Sequence, residues 1–195
     1  MTIAAVVLAA GEAARFGAPK QQLLLPSVLA RLRESPVDEI VVVEGAYPLD
    51  PCGSEPQSPP ARVVAAGPRR FDASGSEPQS PCRVVRCAEW ERGPGASLRC
   101  GLAALGDEVE AAVVVLADGP NLSPEAVARV LAAWRSEGRV IAASYGGARG
   151  HPLVLGRDAW RDVPDDGMHE RPARLVPCDD LGAPGDVDRP EDLGT

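Results

Sequence analysis

The sequence predicts an α/β protein built on one mostly parallel sheet that is covered on both faces. Two observations carry this expectation: short runs rich in valine and isoleucine recur along the chain, and helical patterns lie between several of them. A length of 195 residues fits a single domain spanning 1–195, and 45% hydrophobic with 25% charged residues is the composition of a compact soluble protein.

The first element is Ile3 to Ala10, a continuous apolar run ending at Gly11, as expected of a strand buried on both faces. A helical stretch over Val28 to Glu34 leads to a second strand, Glu39 to Glu44. Between this strand and the next the grammar breaks. Gly53-Ser-Glu-Pro-Gln-Ser-Pro59 returns unchanged as Gly75-Ser-Glu-Pro-Gln-Ser-Pro81, a local duplication with a period of 22 residues. Two copies are too few to stack into a solenoid, and their prolines forbid a helix, so about residues 46–81 are expected to form an exposed or disordered insertion. The strand pattern resumes at Cys82 to Cys87, followed by a helix over Ala96 to Leu105 and a strand over Ala111 to Asp118. The helix over Pro124 to Glu137 is the best marked, with Ser123 as N-cap, Pro124 at its first position, Glu125 against its positive end and Gly138 just beyond it. Arg139 to Tyr145 reads as a further strand.

A net charge of −8 argues against nucleic acid as a partner, because proteins that track a phosphate backbone carry a basic face. Of 20 basic residues only Lys20 is a lysine. The five cysteines, Cys52, Cys82, Cys87, Cys100 and Cys178, contain no C-x-x-C pair and are expected to be reduced thiols of a cytoplasmic protein. Ile3 to Ala10 lacks the basic flank of a signal peptide and is too short to span a bilayer, so neither secretion nor a membrane partner is expected.

The stretch that carries chemistry is Leu8-Ala-Ala-Gly-Glu-Ala-Ala-Arg-Phe-Gly-Ala-Pro-Lys20, which follows the first strand. Carboxyl ends of strands form the ligand crevice of an open parallel sheet, and small residues there let backbone N–H groups approach a phosphate. The spacing fits neither a Walker A loop nor G-x-G-x-x-G, since five residues separate Gly11 from Gly17 and Gln21 follows Lys20. Lys20 and Arg15 offer positive charge for phosphates, one as a point charge and one as a planar fork. Asp118, at the end of an apolar strand, offers a hard oxygen for Mg²⁺, and Asp186 or Asp188 a second carboxylate. Each has a plainer reading: a solvated lysine, a paired arginine, an aspartate that starts a turn, or carboxylates that begin a helix.

The loop resembles the L-A-A/G-G-x-S-x-R-M-G-x-x-K signature of nucleotidyltransferases that join an NTP to a small phosphorylated acceptor, and above all the molybdenum cofactor cytidylyl- and guanylyltransferases. Three further stretches follow in that family's order: Glu91 to Leu102, Leu116-Ala-Asp-Gly-Pro120, and Arg149-Gly-His-Pro152 with Asp186-Val-Asp-Arg-Pro-Glu-Asp-Leu193. Ala13 and Phe16 stand where the family has serine and methionine. The resemblance implies a Rossmann-like three-layer domain of the nucleotide-diphospho-sugar transferase type. It implies catalytic roles for Lys20 and Arg15 and a nucleotide site of Leu8, Ala9, Ala10, Gly11, Lys20, Gly95, Ala96 and Ser97. It also implies Mg²⁺ on Asp118 with Asp186 or Asp188, and an acceptor loop at Gly150 and His151. Leu8-Ala-Ala-Gly11 is the form typical of the cytidylyl branch, so the resemblance points to CTP as donor and molybdopterin as acceptor, with a maturing molybdoenzyme as a further partner. Transfer from GTP, a sugar-phosphate-type NTP transferase, and a nucleotide-binding module without catalysis are the alternatives.

Overall fold

A computed structural model describes residues 1–12, 20–49 and 80–185. Arg15, Asp186, Asp188 and nearly all of the duplicated insertion therefore lie outside the described residues.

The described chain forms strands β1 (Thr2–Ala9), β2 (Glu39–Glu44), β3 (Cys82–Arg86), β4 (Val109–Leu116), β5 (Ile141–Tyr145), β6 (Ala148–Gly156) and β7 (Arg174–Pro177), with helices α1 (Lys20–Arg33), α2 (Pro94–Ala103) and α3 (Pro124–Glu137). One seven-stranded sheet has the order β3-β2-β1-β4-β6-β5-β7. Only β6 is antiparallel to its neighbours β4 and β5. The expected mostly parallel α/β sheet is what forms.

Alternation along β1 shows how the layers are built. Ile3, Ala5 and Val7 belong to one buried cluster with α1 and α3, whereas Ala4 and Val6 belong to a second with Leu98 and Leu102 of α2. Each such strand is apolar at every position because both its faces are covered, and burying a side chain of this kind contributes about 1.5–3 kcal/mol. Helix α2 comes closest to the sheet at Gly101, where an added Cβ would meet Val6 Cγ1 at 2.6 Å and Val43 Cγ2 at 2.8 Å. Helix α3 ends as expected: Ser123 Oγ accepts from the Ala126 amide at 3.3 Å, and Gly138 closes the helix in the left-handed region at φ 66°.

Three expectations are corrected. Helix α1 begins at Lys20, not Val28, and runs through Pro26. Pro26 removes one amide donor, yet Gln21, Leu25 and Leu29 and, beside them, Leu24, Val28 and Leu32 stay buried at four-residue spacing, and that packing outweighs the lost hydrogen bond. Arg149-Gly-His-Pro152, expected to carry an acceptor loop at Gly150 and His151, lies within strand β6. Its turn from β5 is Gly146-Gly147, with φ of 58° and 78°, the positive values that a two-residue hairpin of this type requires. Finally, Cys87 and Cys100, expected as reduced thiols, form a disulfide with a Cα–Cα distance of 5.7 Å, because α2 runs back across the sheet and sets its second turn beside the end of β3.

Candidate active site

The carboxyl ends of β1 and β4 are adjacent and in register, with Leu8 opposite Leu116. Beyond them the chain leaves the sheet at Ala10 on one side and Asp118 on the other. Lys20 is the first residue of α1, and its Nζ lies 3.1 Å from Asp118 Oδ2. Both side chains are largely buried, at 8% and 26% exposure, so the ion pair is held in the crevice and not on an open surface. Neighbouring backbone locks this corner: Ala117 N donates to Leu8 O at 3.1 Å, and Gln21 Nε2 donates to Gly11 O at 2.9 Å. Gln21 Oε1 remains buried without a partner among the described residues. Leu8 is half-buried, Ala9 and Ala10 are buried, and Gly11 is exposed at the mouth.

The chain returns to the same place from its far end. Asn121 N donates to Pro184 O at 2.9 Å, and a Cβ on Gly119 would lie 3.0 Å from Pro184 Cβ. Gly185, the last described residue before Asp186, thus lies over the turn that follows Asp118.

The third stretch packs differently. Helix α2 is capped by Gly93, which places Ser97 inside the helix, and Gly95, Ala96 and Ser97 are all buried. The segment 163–167 lies over them: Gly95 N donates to Asp165 O at 2.9 Å. A side chain at Gly95 would come within 1.7 Å of Pro164 O, so glycine is needed for this close approach. Arg99 and Arg92 both hold the Asp165 carboxylate, Arg92 at 3.1 Å, and the Arg99 hydrogen bond chiefly keeps that carboxyl below its usual pKa. Pro94 and Leu98, not Gly95 to Ser97, face the cavity beside this helix.

Two cavities of about 440 Å³ each meet at β6. One is walled by apolar side chains, among them Leu98, Val114, Leu153 and Met168; the other lies towards Leu122, Tyr145 and Pro184. Arg149, Gly150 and His151 border both. His151 is pushed down to about pH 4 by burial, opposed by the negative charge of Asp118 and reinforced by Arg149, so its imidazole is neutral near pH 7. Its carbonyl accepts from Tyr145 Oη at 3.0 Å, and burial pushes the Tyr145 hydroxyl up to about 12. Separately, Asp166, His169 and Glu170 gather their ligand atoms within 4.8 Å, but all three are exposed.

The structure therefore brings Lys20, Asp118, Leu8 and His151 to one crevice and sets Gly95 to Ser97 in its flank. Gln21 and Arg149 are site residues that motif reading passed over. Arg149 stood inside a quoted motif, and Gln21 directly follows Lys20, but only the fold shows that each carries a buried polar atom in need of a partner.

Comparison with known proteins decides the family. The model of the MobA-like NTP transferase domain matches residues 5–176. The chain belongs to this family. Among solved structures it is similar to Rv0371c from Mycobacterium tuberculosis H37Rv, with 25% identity over 99% of this chain and 96% of that one and a TM-score of 0.68. The manganese complex of Rv0371c aligns at 21% identity, covering 91% and 88%, with a TM-score of 0.59. The 4-diphosphocytidyl-2C-methyl-D-erythritol synthase of Anaerococcus prevotii DSM 20548 aligns at 15% identity, covering 98% and 94%, with a TM-score of 0.62. Among curated proteins none matches the sequence. As a MobA-like NTP transferase the chain is a nucleotidyltransferase with a Rossmann-like core, and the Lys20–Asp118 pair lies at the strand ends where such a fold receives its ligand. No described helix is long and apolar enough to cross a membrane.

Proposed function

We propose that this MobA-like transferase moves CMP from CTP to a small phosphorylated acceptor, with molybdopterin as the acceptor suggested by the sequence motifs. An acceptor phosphate oxygen attacks the α-phosphorus, the bond from that phosphorus to the β-phosphate oxygen breaks, and pyrophosphate leaves with the electron pair. Both reactants are anions, so the protein's work is neutralisation and alignment. The observation that carries this reading is the buried Lys20–Asp118 pair, which joins the cation of the first motif to the carboxylate of the third.

Lys20 stands at the N-terminal end of α1, where its charge adds to the positive end of the helix, and together they suit a triphosphate. Asp118 suits a divalent cation: one hard carboxylate, with phosphate oxygens and water completing the shell, is the donor set that Mg²⁺ takes. When bound, such a cation would be held by Asp118 and would supply neutralisation of phosphate charge. Until then Lys20 and the partly exposed Asp118 satisfy each other, which keeps the buried lysine charge from standing unpaired. The neutral His151 can donate or accept a hydrogen bond on the acceptor side without adding charge. Asp186 or Asp188 as a second metal ligand, and Arg15 on the phosphates, belong to the same proposal. So do backbone contacts from Leu8 to Gly11 and a supporting role for Gly95, Ala96 and Ser97. CTP is favoured because Ala10 puts a methyl group where the base edge would pass, and the manganese-bound and cytidyl-named structural neighbours accord with a metal and CTP.

The test is thermal stability with Mg²⁺ and each of CTP, GTP, ATP and UTP, followed by pyrophosphate release with molybdopterin. CTP at 100 times its dissociation constant should add about 2.7 kcal/mol of stability. Chelation by EDTA should abolish transfer, and Mg²⁺ or Mn²⁺ should restore it. Selective stabilisation by GTP would move the reading to guanylyl transfer, and binding without pyrophosphate release would leave a nucleotide-binding module.

A further inference from the structure

The Cys87–Cys100 disulfide and the Trp90 ring take no part in the chemistry above, yet both lie close to the start of the nucleotide loop. Gly45 directly follows β2, and a Cβ placed there would meet Trp90 Cγ at 2.6 Å and Ala10 O at 2.7 Å. The half-buried indole and the carbonyl of Ala10 thus close on one backbone position, where a glycine is needed. Ala10 O also accepts from Ala46 N at 3.1 Å. Trp90 therefore packs where the chain leaves β1 for Gly11.

What holds Trp90 there is the disulfide. Three glycines seat α2 and its cap: a Cβ would lie 2.4 Å from Asp165 O at Gly93, 1.7 Å from Pro164 O at Gly95 and 2.6 Å from Val6 Cγ1 at Gly101. Cys100 precedes Gly101 and is fixed with the helix. The S–S bond carries that rigidity to the buried Cys87, whose Sγ lies 3.5 Å from Ala96 O and whose N donates to Glu44 O at 2.8 Å. From there to the helix the chain bonds to itself, Arg92 N to Glu89 O at 3.0 Å and Gly93 N to Trp90 O at 3.1 Å, and meets the end of β1 through the Trp90 ring. Two thiols need more room than two bonded sulfurs. Interiors are close-packed and the seated helix has no space to yield, so the displacement on reduction falls on residues 87–92 and on Trp90.

We infer that Trp90 is a positioning residue for the nucleotide loop and that the Cys87–Cys100 disulfide is a redox-sensitive clamp on it, the oxidised protein binding the NTP tightly and the reduced protein weakly. The identity of the ligand rests on the nucleotidyl-transfer reading. The co-reactant is a dithiol. Its thiolate attacks Sγ of the partly exposed Cys100, and the S–S bond breaks with its electron pair on Cys87 Sγ, which takes up a proton. The second thiol then attacks the reductant's own sulfur in the mixed disulfide and releases Cys100 as a thiol. The dithiol leaves as a disulfide, having given two electrons to the protein.

Differential alkylation read by peptide mass gives the state of Cys87 and Cys100, and CTP with Mg²⁺ is titrated by calorimetry into protein oxidised with diamide or reduced with dithiothreitol. Reduction should weaken CTP by roughly fivefold or more, the low end of ordinary coupling between two sites, and should speed amide exchange in residues 88–93 while β4 holds. In the transfer assay the loss should fall on KM for CTP and spare kcat. Trp90→Ala should bind CTP as weakly as the reduced wild type in both redox states, whereas Trp90→Phe should keep the wild-type response. Equal CTP affinity in the two states overturns the inference, as does a Trp90→Ala protein that binds CTP like the wild type, or a Cys87 and Cys100 that alkylate as thiols even after diamide. Should Trp90→Ala fail to fold, Gly45→Ala takes its place: it drives a methyl group between the ring and Ala10 O and must weaken CTP. If neither redox state of the wild type takes CTP, the nucleotidyl-transfer reading falls; faster exchange of 88–93 on reduction would still establish the clamp, and unchanged exchange would remove it.

Discussion

The two walls of the crevice are made by opposite means. On the β1–β4 side, apolar parallel strands buried on both faces end beside a single buried ion pair, Lys20–Asp118. On the β6 side the sheet reverses direction, and the segment 163–171 is held down by arginines and a glycine contact: Arg92 and Arg99 on Asp165, Gly95 on Asp165 O, Arg149 on the carbonyls of His169 and Arg171. One wall takes its shape from hydrophobic burial and confines charge to the chemistry. The other takes its shape from polar contacts to backbone, so its shape can be lost with the strands intact.

The first wall should break catalytically. Lys20→Ala and Asp118→Asn are each expected to lower pyrophosphate release by about 10²–10³-fold, the range for removing one preorganised charge or donor from a transition state. A drop of less than tenfold in both would remove the pair from the mechanism. The second wall should break structurally. Gly95→Ala forces a methyl group against Pro164 O, and either α2 or the 163–167 segment must move; overpacking of this kind costs about 1–3 kcal/mol, measurable as a lower midpoint in urea. If the midpoint were unchanged, the segment would not be seated on the helix as described.

His151 links the walls and gives a pH signature. Its folded pKa of about 4 lies below the ordinary histidine value of 6.5, so the unfolded chain binds more protons between these limits. Stability from this group is full above about pH 6.5 and falls as the pH drops towards 4. His151→Gln should flatten that part of the stability–pH curve, and an identical slope in the variant would contradict the burial. The smallest effect belongs to Asp165→Asn. This exposed carboxylate shares two arginines, and exposed pairs contribute little, so a slight fall in melting temperature that shrinks at high salt is expected. A fall as large as that of Gly95→Ala would mean that charge, not the glycine contact, holds the segment.

This division also explains what the sequence disclosed. Strands β1, β2, β4 and β5 were legible because strands covered on both faces are largely apolar, the mostly exposed edge strand β3 was legible by its Val84-Val85 pair, and Lys20 and Asp118 were legible because motif and strand end coincide. Strand β6 was not, since Arg149-Gly-His151-Pro152 interrupts its apolar pattern; the Gly146-Gly147 pair was the signal that a hairpin turned there. Strand β7 is four residues long and mostly exposed, with no periodicity to read. The start of α2 was read two residues late, at Ala96, because Gly93-Pro94-Gly95 reads as a turn, whereas Pro94 is the first helical residue, behind a Gly93 cap. Neither the Cys87–Cys100 bond nor the unmet valence of Arg149 has a local signature, as both depend on segments distant in sequence.

Lys20 is the only lysine of the 195 residues. Apart from the α-amine of Met1, an amine-selective reagent thus has a single target, and it lies at the base of the crevice. Its acylation rate should therefore serve as a built-in gauge of occupancy, slow in the resting protein and slower still under a bound triphosphate, readable by mass from one modified peptide without adding a label elsewhere.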